Sequence, residues 1–176
     1  GAPVAVTSDA ATDWNPVWSP DGRYLYFSSD RAGHMELWRV AIDEASGRTS
    51  GDIETVPAPA AFSQQAPNFS RDGRRLIYTA KARTRKNIQR LNFDPATGTV
   101  NGSPVRITRD DEWITEPHLS PDDKWLVCGS SDEPQEDLFI LRSDGTGERR
   151  KLTNDPAKDR EPNWSPSLPV GNSKMP

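Results

Sequence analysis

Glu116 and Glu161 are the pair in this chain best suited by type and position to acid–base chemistry. Each stands directly before a proline in a recurring phrase, Glu116-Pro-His-Leu-Ser-Pro-Asp-Asp123 and Glu161-Pro-Asn-Trp-Ser-Pro-Ser167. Two carboxylates flanking one cleft is the arrangement of a glycosidase, one serving as general acid and the other as base or nucleophile. The competing role is structural, a carboxylate bonded to a neighbouring loop. The equivalent positions earlier in the chain hold Asn15 and Ala66, which cannot do this chemistry. Structural pairs often imitate functional ones, and the structural role is the one expected here.

Other chemistries find less support. Hydrolysis on an α/β-hydrolase scaffold needs a Gly-x-Ser-x-Gly elbow followed by an acid and a histidine. The motif is absent, and His34 and His118 are the only histidines. His118 falls inside the repeated phrase at the place held by Val17, Asn68 and Asn163, so it is expected to be structural, facing a channel or an adjacent repeat unit. His34, beside Gly33, reads as a solvated loop residue. One cysteine with two distant histidines gives no zinc spacing, and the Asp-x-Asp-x-Asp-Gly calcium loop is missing. Asp21, Asp72 and Asp122 recur, but the turn chemistry described below explains each of them. No catalytic residue, metal ligand or cofactor is therefore assigned. Cys128, alone in an apolar run, reads as a small buried hydrophobe with no intrachain partner, and it leaves the compartment open.

Binding is the better functional clue. Trp14 and Trp113 each lie just ahead of a repeated phrase, among Asp9, Asp13, Asp110, Asp111 and Glu112, and the stretch Lys81-Ala-Arg-Thr-Arg-Lys86 is basic. Aromatic and arginine side chains on a polar face are what binding hot spots are made of. Trp14, Trp113, Lys81, Arg83, Arg85 and Lys86 are thus the candidate partner-binding residues. The alternative is that the tryptophans cover the ends of a core while the basic run solubilises a hairpin tip.

The elements that must position these residues follow from repetition. The phrase occurs four times, the other two copies being Asn15-Pro-Val-Trp-Ser-Pro-Asp-Gly22 and Ala66-Pro-Asn-Phe-Ser-Arg-Asp-Gly73. Its prolines, Pro16, Pro67, Pro117 and Pro162, recur about every 50 residues, so each unit is one supersecondary element stacked on its neighbours. Ser-Pro-Asp-Gly favours a type I turn, with proline at the second position and a residue tolerant of φ > 0 at the exit. Arg71 and Asp123 are acceptable substitutes in the second and third copies. A proline ahead of the turn marks an edge strand. The bulky residue two places on, Trp18, Phe69, Leu119 or Trp164, is expected to bury outside its own sheet. After each complete turn come runs apolar on both faces, Tyr24–Phe27, Leu76–Tyr78 and Trp125–Cys128, then a second strand at 37–42, 88–93 or 138–141. Each unit closes on a short strand ending in threonine at 105–108 or 150–153, with 53–56 a weaker copy.

Four strands per unit, with a proline-bearing inner edge, make the blade of an all-β propeller of antiparallel sheets. Blades are expected at about 15–56, 66–108 and 116–153, with the first strand of a fourth at 161–165, within a segment covering 1–166 and followed by a coil tail at 167–176. Val4 to Thr7 reads as the outermost strand of another blade. Three whole blades and two stray strands cannot close a ring of 4 to 8 blades, so an open arc, able to self-associate through its edges, is expected.

The phrase Pro-x-Trp-Ser-Pro-Asp-Gly, followed by an apolar strand, Ser-Ser-Asp-Arg, a second strand, Asp-Gly and Leu-Thr, resembles the WD-like repeat of the TolB family, most closely over Trp18–Arg31 and Leu138–Asp155. That resemblance implies a non-enzymatic propeller that binds or senses a protein, in a periplasmic or other extracytoplasmic bacterial setting. Similar repeats occur in sensor regions of bacterial protein kinases and in the gating propeller of prolyl-oligopeptidase-like serine peptidases. An accessory peptidase propeller, or a carbohydrate-active one using Glu116 and Glu161, are the alternatives.

The formal net charge is −4, which argues against general nucleic-acid binding. No apolar run is long enough to span a bilayer.

Overall fold

A computed structural model describes residues 3–59, 61–82, 85–108, 114–130 and 136–165. Twelve strands form three separate four-stranded sheets, each antiparallel and each in simple sequential order. Blade 1 comprises β1 (Asp13–Trp18), β2 (Tyr24–Ser29), β3 (Glu36–Asp43) and β4 (Arg48–Thr55). Blade 2 comprises β5 (Ser63–Phe69), β6 (Arg75–Ala82), β7 (Arg85–Asp94) and β8 (Thr99–Arg106). Blade 3 comprises β9 (Ile114–Leu119), β10 (Trp125–Ser130), β11 (Leu138–Arg142) and β12 (Arg150–Lys151). The inner strands β1, β5 and β9 are neighbours in turn. Among the described residues β1 meets β5 and β5 meets β9, so the three blades form an arc of a propeller.

The repeated turn is held by side chains as well as by proline. The Ser19, Ser70 and Ser120 hydroxyls each donate to the aspartate two residues on, Asp21, Asp72 and Asp122, at 2.6 Å. The same hydroxyls accept the N–H of Tyr24, Arg75 and Trp125 at 3.0, 2.9 and 3.0 Å, tying the turn to the start of the second strand. The turn closes with Gly22, Gly73 and Asp123 donating back to the serine carbonyl, at φ of 70°, 72° and 59°. Asp123 therefore occupies a glycine conformation, as the sequence required. It also has a task that glycine could not perform, accepting from the Arg71 N–H at 3.1 Å and from the Arg75 guanidinium at 3.0 Å, across to blade 2.

Each blade has a leading face, toward the blade before it, and a trailing face. Between blades 1 and 2 the trailing residues Tyr26, Leu37 and Val56 meet the leading residues Leu76, Tyr78, Leu91 and Phe93, all buried. Phe69 inserts here, its ring 4.7 Å from Tyr26 and 5.5 Å from Phe93. The pair with Tyr26 is edge-on and that with Phe93 tilted, and aromatic pairs of this kind add about 0.5–1.5 kcal/mol each beyond their buried area. Between blades 2 and 3 the contact is mainly aliphatic, with Ile77, Ile88 and Ile107 against Ile114, Leu119, Leu126, Cys128, Phe139 and Leu141. Cys128 is fully buried there, and burial pushes its thiol up to about 12.

Three expectations need correction. The outermost strands begin earlier than 53 and 105 and are longer. β3 and β7 turn back through Asp43–Gly47 and Asp94–Gly98, where each glycine N–H donates to the aspartate carbonyl at 2.7 Å, straight into β4 and β8. These strands are polar and largely exposed, so no apolar alternation announces them. Second, residues 4–7 and 161–165 belong to no strand, because neither has a ladder partner. Third, Trp18 is 45% exposed, whereas Leu119 is buried and Phe69 partly so.

Candidate functional site

The proline of each inner strand sits on a β-bulge. Register shifts fall between Trp14 and Val17 in β1, between Gln65 and Asn68 in β5, and opposite Val127–Gly129 in β9. At each bulge the residue before the proline adopts left-handed backbone, with φ of 53° at Asn15, 51° at Ala66 and 55° at Glu116. Glu161 repeats it at 52° without any sheet around it. For non-glycine residues this conformation is costly and survives only where the surroundings enforce it.

These four residues line one open cleft of about 290 Å³, together with Pro16, Val17, Pro67, His118 and Asn163. The cleft is the inner channel of the arc. Glu116 and Glu161 come together in it, as their repeat position required. The Glu116 carboxylate accepts the backbone N–H of Glu161 at 2.8 Å, which is the structural role weighed against acid–base work. His118 also lines the channel, its Nδ1 3.4 Å from Asn68 Nδ2, while Asn68 Oδ1 accepts the Leu119 N–H at 3.1 Å. Asn68 thereby clasps blade 3 from blade 2. Burial pulls the His118 imidazole below its ordinary value, with Glu116 opposing, so the ring is neutral at neutral pH. His34 lies half-exposed in its loop, 2.8 Å from Glu36.

A second, more polar cleft of about 270 Å³ opens beside the first, lined by Lys86, Thr115, Glu116, Ser130, Glu136, Asp159, Arg160 and Glu161 among others. Glu136 is buried and pairs with Arg160 through both of its oxygens and with Lys158. Arg160 above all, with Lys158 helping and burial opposing, holds this carboxyl down at about 2. The pair pins the segment that returns from β12 to the channel, where Asp159 N–H also donates to the Glu136 carbonyl at 2.9 Å. Burial, then the nearby Lys81, pulls the Lys86 ammonium below its usual value, against the pull of Glu116.

Trp14, Lys81 and Lys86 stand at one end of the blades, where inner strands start and the second and third strands of a blade are joined. The pairings Trp14↔Ser28, Ser63↔Lys81 and Lys81↔Lys86 fix that placement. Trp14 is 51% exposed. Phe62 joins this end at 62% exposure, its N–H donating to the Lys81 carbonyl and its ring 5.8 Å from Lys81 Nζ. The sequence reading passed over Phe62, although an aromatic just ahead of a repeated phrase is the pattern that singled out Trp14 and Trp113. Trp113 and Arg83 lie outside the described residues, as does the Arg85 side chain.

No family model matches the chain. Over 164 residues it is 27% identical to the Tol-Pal system protein TolB of Anaeromyxobacter dehalogenans, covering 93% of this chain and 24% of that protein. The crystal structure of TolB from Acinetobacter baumannii superposes with a TM-score of 0.63 at 24% identity, over 86% of this chain and 34% of that one. The chain is a partial TolB-like β-propeller. This TolB-like arc spans about a quarter of the length of the curated relatives it matches. A puromycin-hydrolyzing peptidase of Mycobacterium tuberculosis shares the fold as well, with a TM-score of 0.60 at 16% identity over 82% of this chain and 22% of that one.

Proposed function

We propose that this TolB-like segment is a non-enzymatic interaction module that binds a protein partner at the end of the arc carrying Trp14, Phe62, Lys81 and Lys86, with Trp113, Arg83 and Arg85 belonging to the same surface. The observation that carries the reading is Trp14, a large ring half in solvent on the strand that borders the channel. Exposed tryptophan rimmed by charge is the composition of an interface hot spot. The engagement of the Glu116 carboxylate by the Glu161 N–H weighs against a glycosidase pair. The likeness to TolB proteins of bacteria supports a periplasmic or other extracytoplasmic setting.

The test is a titration against a partner captured by the chain. Trp14→Ala and Trp113→Ala should each weaken binding by roughly 1 to 4 kcal/mol, and unchanged affinity in both would overturn the reading. So would turnover of ester, peptide or glycoside substrates that is lost in Glu116→Gln or Glu161→Gln. A second reading, the accessory propeller of a serine peptidase, is favoured only by the shared fold of the puromycin-hydrolyzing peptidase. An α/β-hydrolase domain on the same polypeptide would establish it.

A further inference from the structure

The last residue of the second strand is a serine in blades 1 and 3, and the two copies are satisfied differently. In blade 1 it is Ser29, fully buried, whose hydroxyl accepts from Arg31 Nε at 3.0 Å while the same guanidinium reaches Asp13 at 3.1 Å. In blade 3 it is Ser130, 5% exposed, and its hydroxyl makes no hydrogen bond among the described residues. Two residues on, where blade 1 has Arg31, the sequence has Asp132.

Ser130 lines the second cleft, where Lys86 and Arg160 stand against the carboxylates of Glu116, Glu136, Asp159 and Glu161. The lining is net acidic. Arg160 and Lys158 already engage Glu136. The carboxylates of Asp159 and Glu161 enter no hydrogen bond or ion pair among the described residues. Their backbones are nevertheless pinned, the N–H of Asp159 to the Glu136 carbonyl at 2.9 Å and that of Glu161 to the Glu116 carboxylate at 2.8 Å. Gly129 keeps the cleft open. It stands where blades 1 and 2 have Ser28 and Thr79, and a β-carbon there would lie 3.6 Å from Thr115 Oγ1.

We infer that this cleft receives the guanidinium of an arginine side chain from a protein partner, held between the Ser130 hydroxyl and the carboxylates of Asp159 and Glu161. The repeat itself names the occupant, because the equivalent serine in blade 1 is met by a guanidinium that also pairs with Asp9 and Asp13. A planar fork of five N–H donors suits acceptors spread around a cleft, whereas an ammonium is a single point of charge. Other occupants fit less well. An anion would meet net negative charge, and a metal ion would need clustered ligands, yet no group of three His, Cys, Asp or Glu able to hold one occurs among the described residues. Lys86 opposes any incoming cation, and Glu116 offsets it. The inference rests on the reading of this segment as an interaction module and adds the chemistry of one contact. Lys86 links the cleft to the end face that carries Trp14.

An NMR titration with N-acetyl-arginine amide tests the site without the partner. Saturable shifts of the Ser130, Asp159 and Glu161 amides are expected. Glu161→Gln should weaken binding about tenfold and Ser130→Ala about threefold, the losses usual for a charged and a neutral hydrogen bond. The Glu161 side chain is exposed and its N–H bond is kept in the variant, so the unfolding curve should match that of the parent. Trp14→Ala should bind the arginine probe as the parent does. N-acetyl-lysine amide should bind more weakly, and inorganic phosphate and calcium should leave these amides unshifted. The proposal is overturned if the arginine probe does not saturate, if Glu161→Gln and Asp159→Asn both bind it as tightly as the parent, or if the lysine amide, phosphate or calcium binds the cleft equally well. Any of these results with Trp14→Ala still weakening a captured partner removes this site and spares the interaction module, so the two fail separately.

Discussion

Phe69 and Trp18 hold the same place in the same phrase, yet one is partly buried and packed among aromatic rings while the other stands 45% exposed. The two residues make the same pairing within their own blade, Phe69 with Leu76 and Trp18 with Leu25. What differs is the neighbour. Burial in a stacked array is a property of the junction between units, and stability is therefore a sum over junctions as much as over blades.

The largest test of that comparison is truncation at both places. Phe69→Ala should cost about 3 kcal/mol in urea unfolding, the low end for a core aromatic because the ring is only partly buried, whereas Trp18→Ala should cost about 1 kcal/mol or less, as surface changes do. Equal losses would break the distinction. The turn clasp sharpens it from the other side, since the hydroxyl bonds of Ser19 and Ser70 lie wholly within their own blades. Ser19→Ala and Ser70→Ala should each cost about 1–2 kcal/mol, alike in the open and the covered blade.

Acid separates two further regions. The His118 imidazole is depressed by burial at the junction of blades 2 and 3, so the unfolded chain binds its proton first. Stability from this group is present above the ordinary histidine value of 6.5 and is lost as pH falls below it. Glu136, held at about 2 against an ordinary 4.5, contributes stability above 4.5 that is lost toward 2. His118→Asn, the residue found at this place in two other copies of the phrase, should remove only the upper window, and Arg160→Ala chiefly the lower. Stability measured across pH 2 to 7.5, or roughly the span of these two groups, checks the assignment. The smallest effect is expected for Asp123→Gly. Relief of the left-handed backbone offsets the lost bonds to Arg71 and Arg75, leaving a net change of about 1 kcal/mol or less by the same unfolding assay.

The covered junctions were legible in the sequence because the phrase carries its own physics. Proline marks the inner edge, Ser and Asp build the turn, and an apolar run on both faces marks the central strand. The outer strands were not legible. Arg48–Thr55 and Thr99–Arg106 are paired on one side only and exposed, so selection for burial leaves no trace in them. The exposure of Trp18 could not be read either, since Asn15–Gly22 carries the same turn residues as the copies whose bulky side chain is covered. Within the site, the period did not decide whether His118 faces the channel or an adjacent blade, while the approach of Glu116 and Glu161 followed from their shared repeat position. The Asn68 clasp did not, because asparagine at that position has no marked partner until the neighbouring blade is placed beside it.

The left-handed residues before the four prolines set a rule of substitution along the channel. A branched β-carbon is barred there by the backbone, but the seat is otherwise indifferent to chemistry, and this chain fills it with an amide, a methyl group and two carboxylates. All four seats border the same cleft. At Asn15 and Ala66 the lining of the channel can thus be rewritten without disturbing a turn or a ladder, whereas Glu116 also holds the Glu161 N–H, and a single architecture can present an acidic, neutral or apolar throat to whatever approaches it.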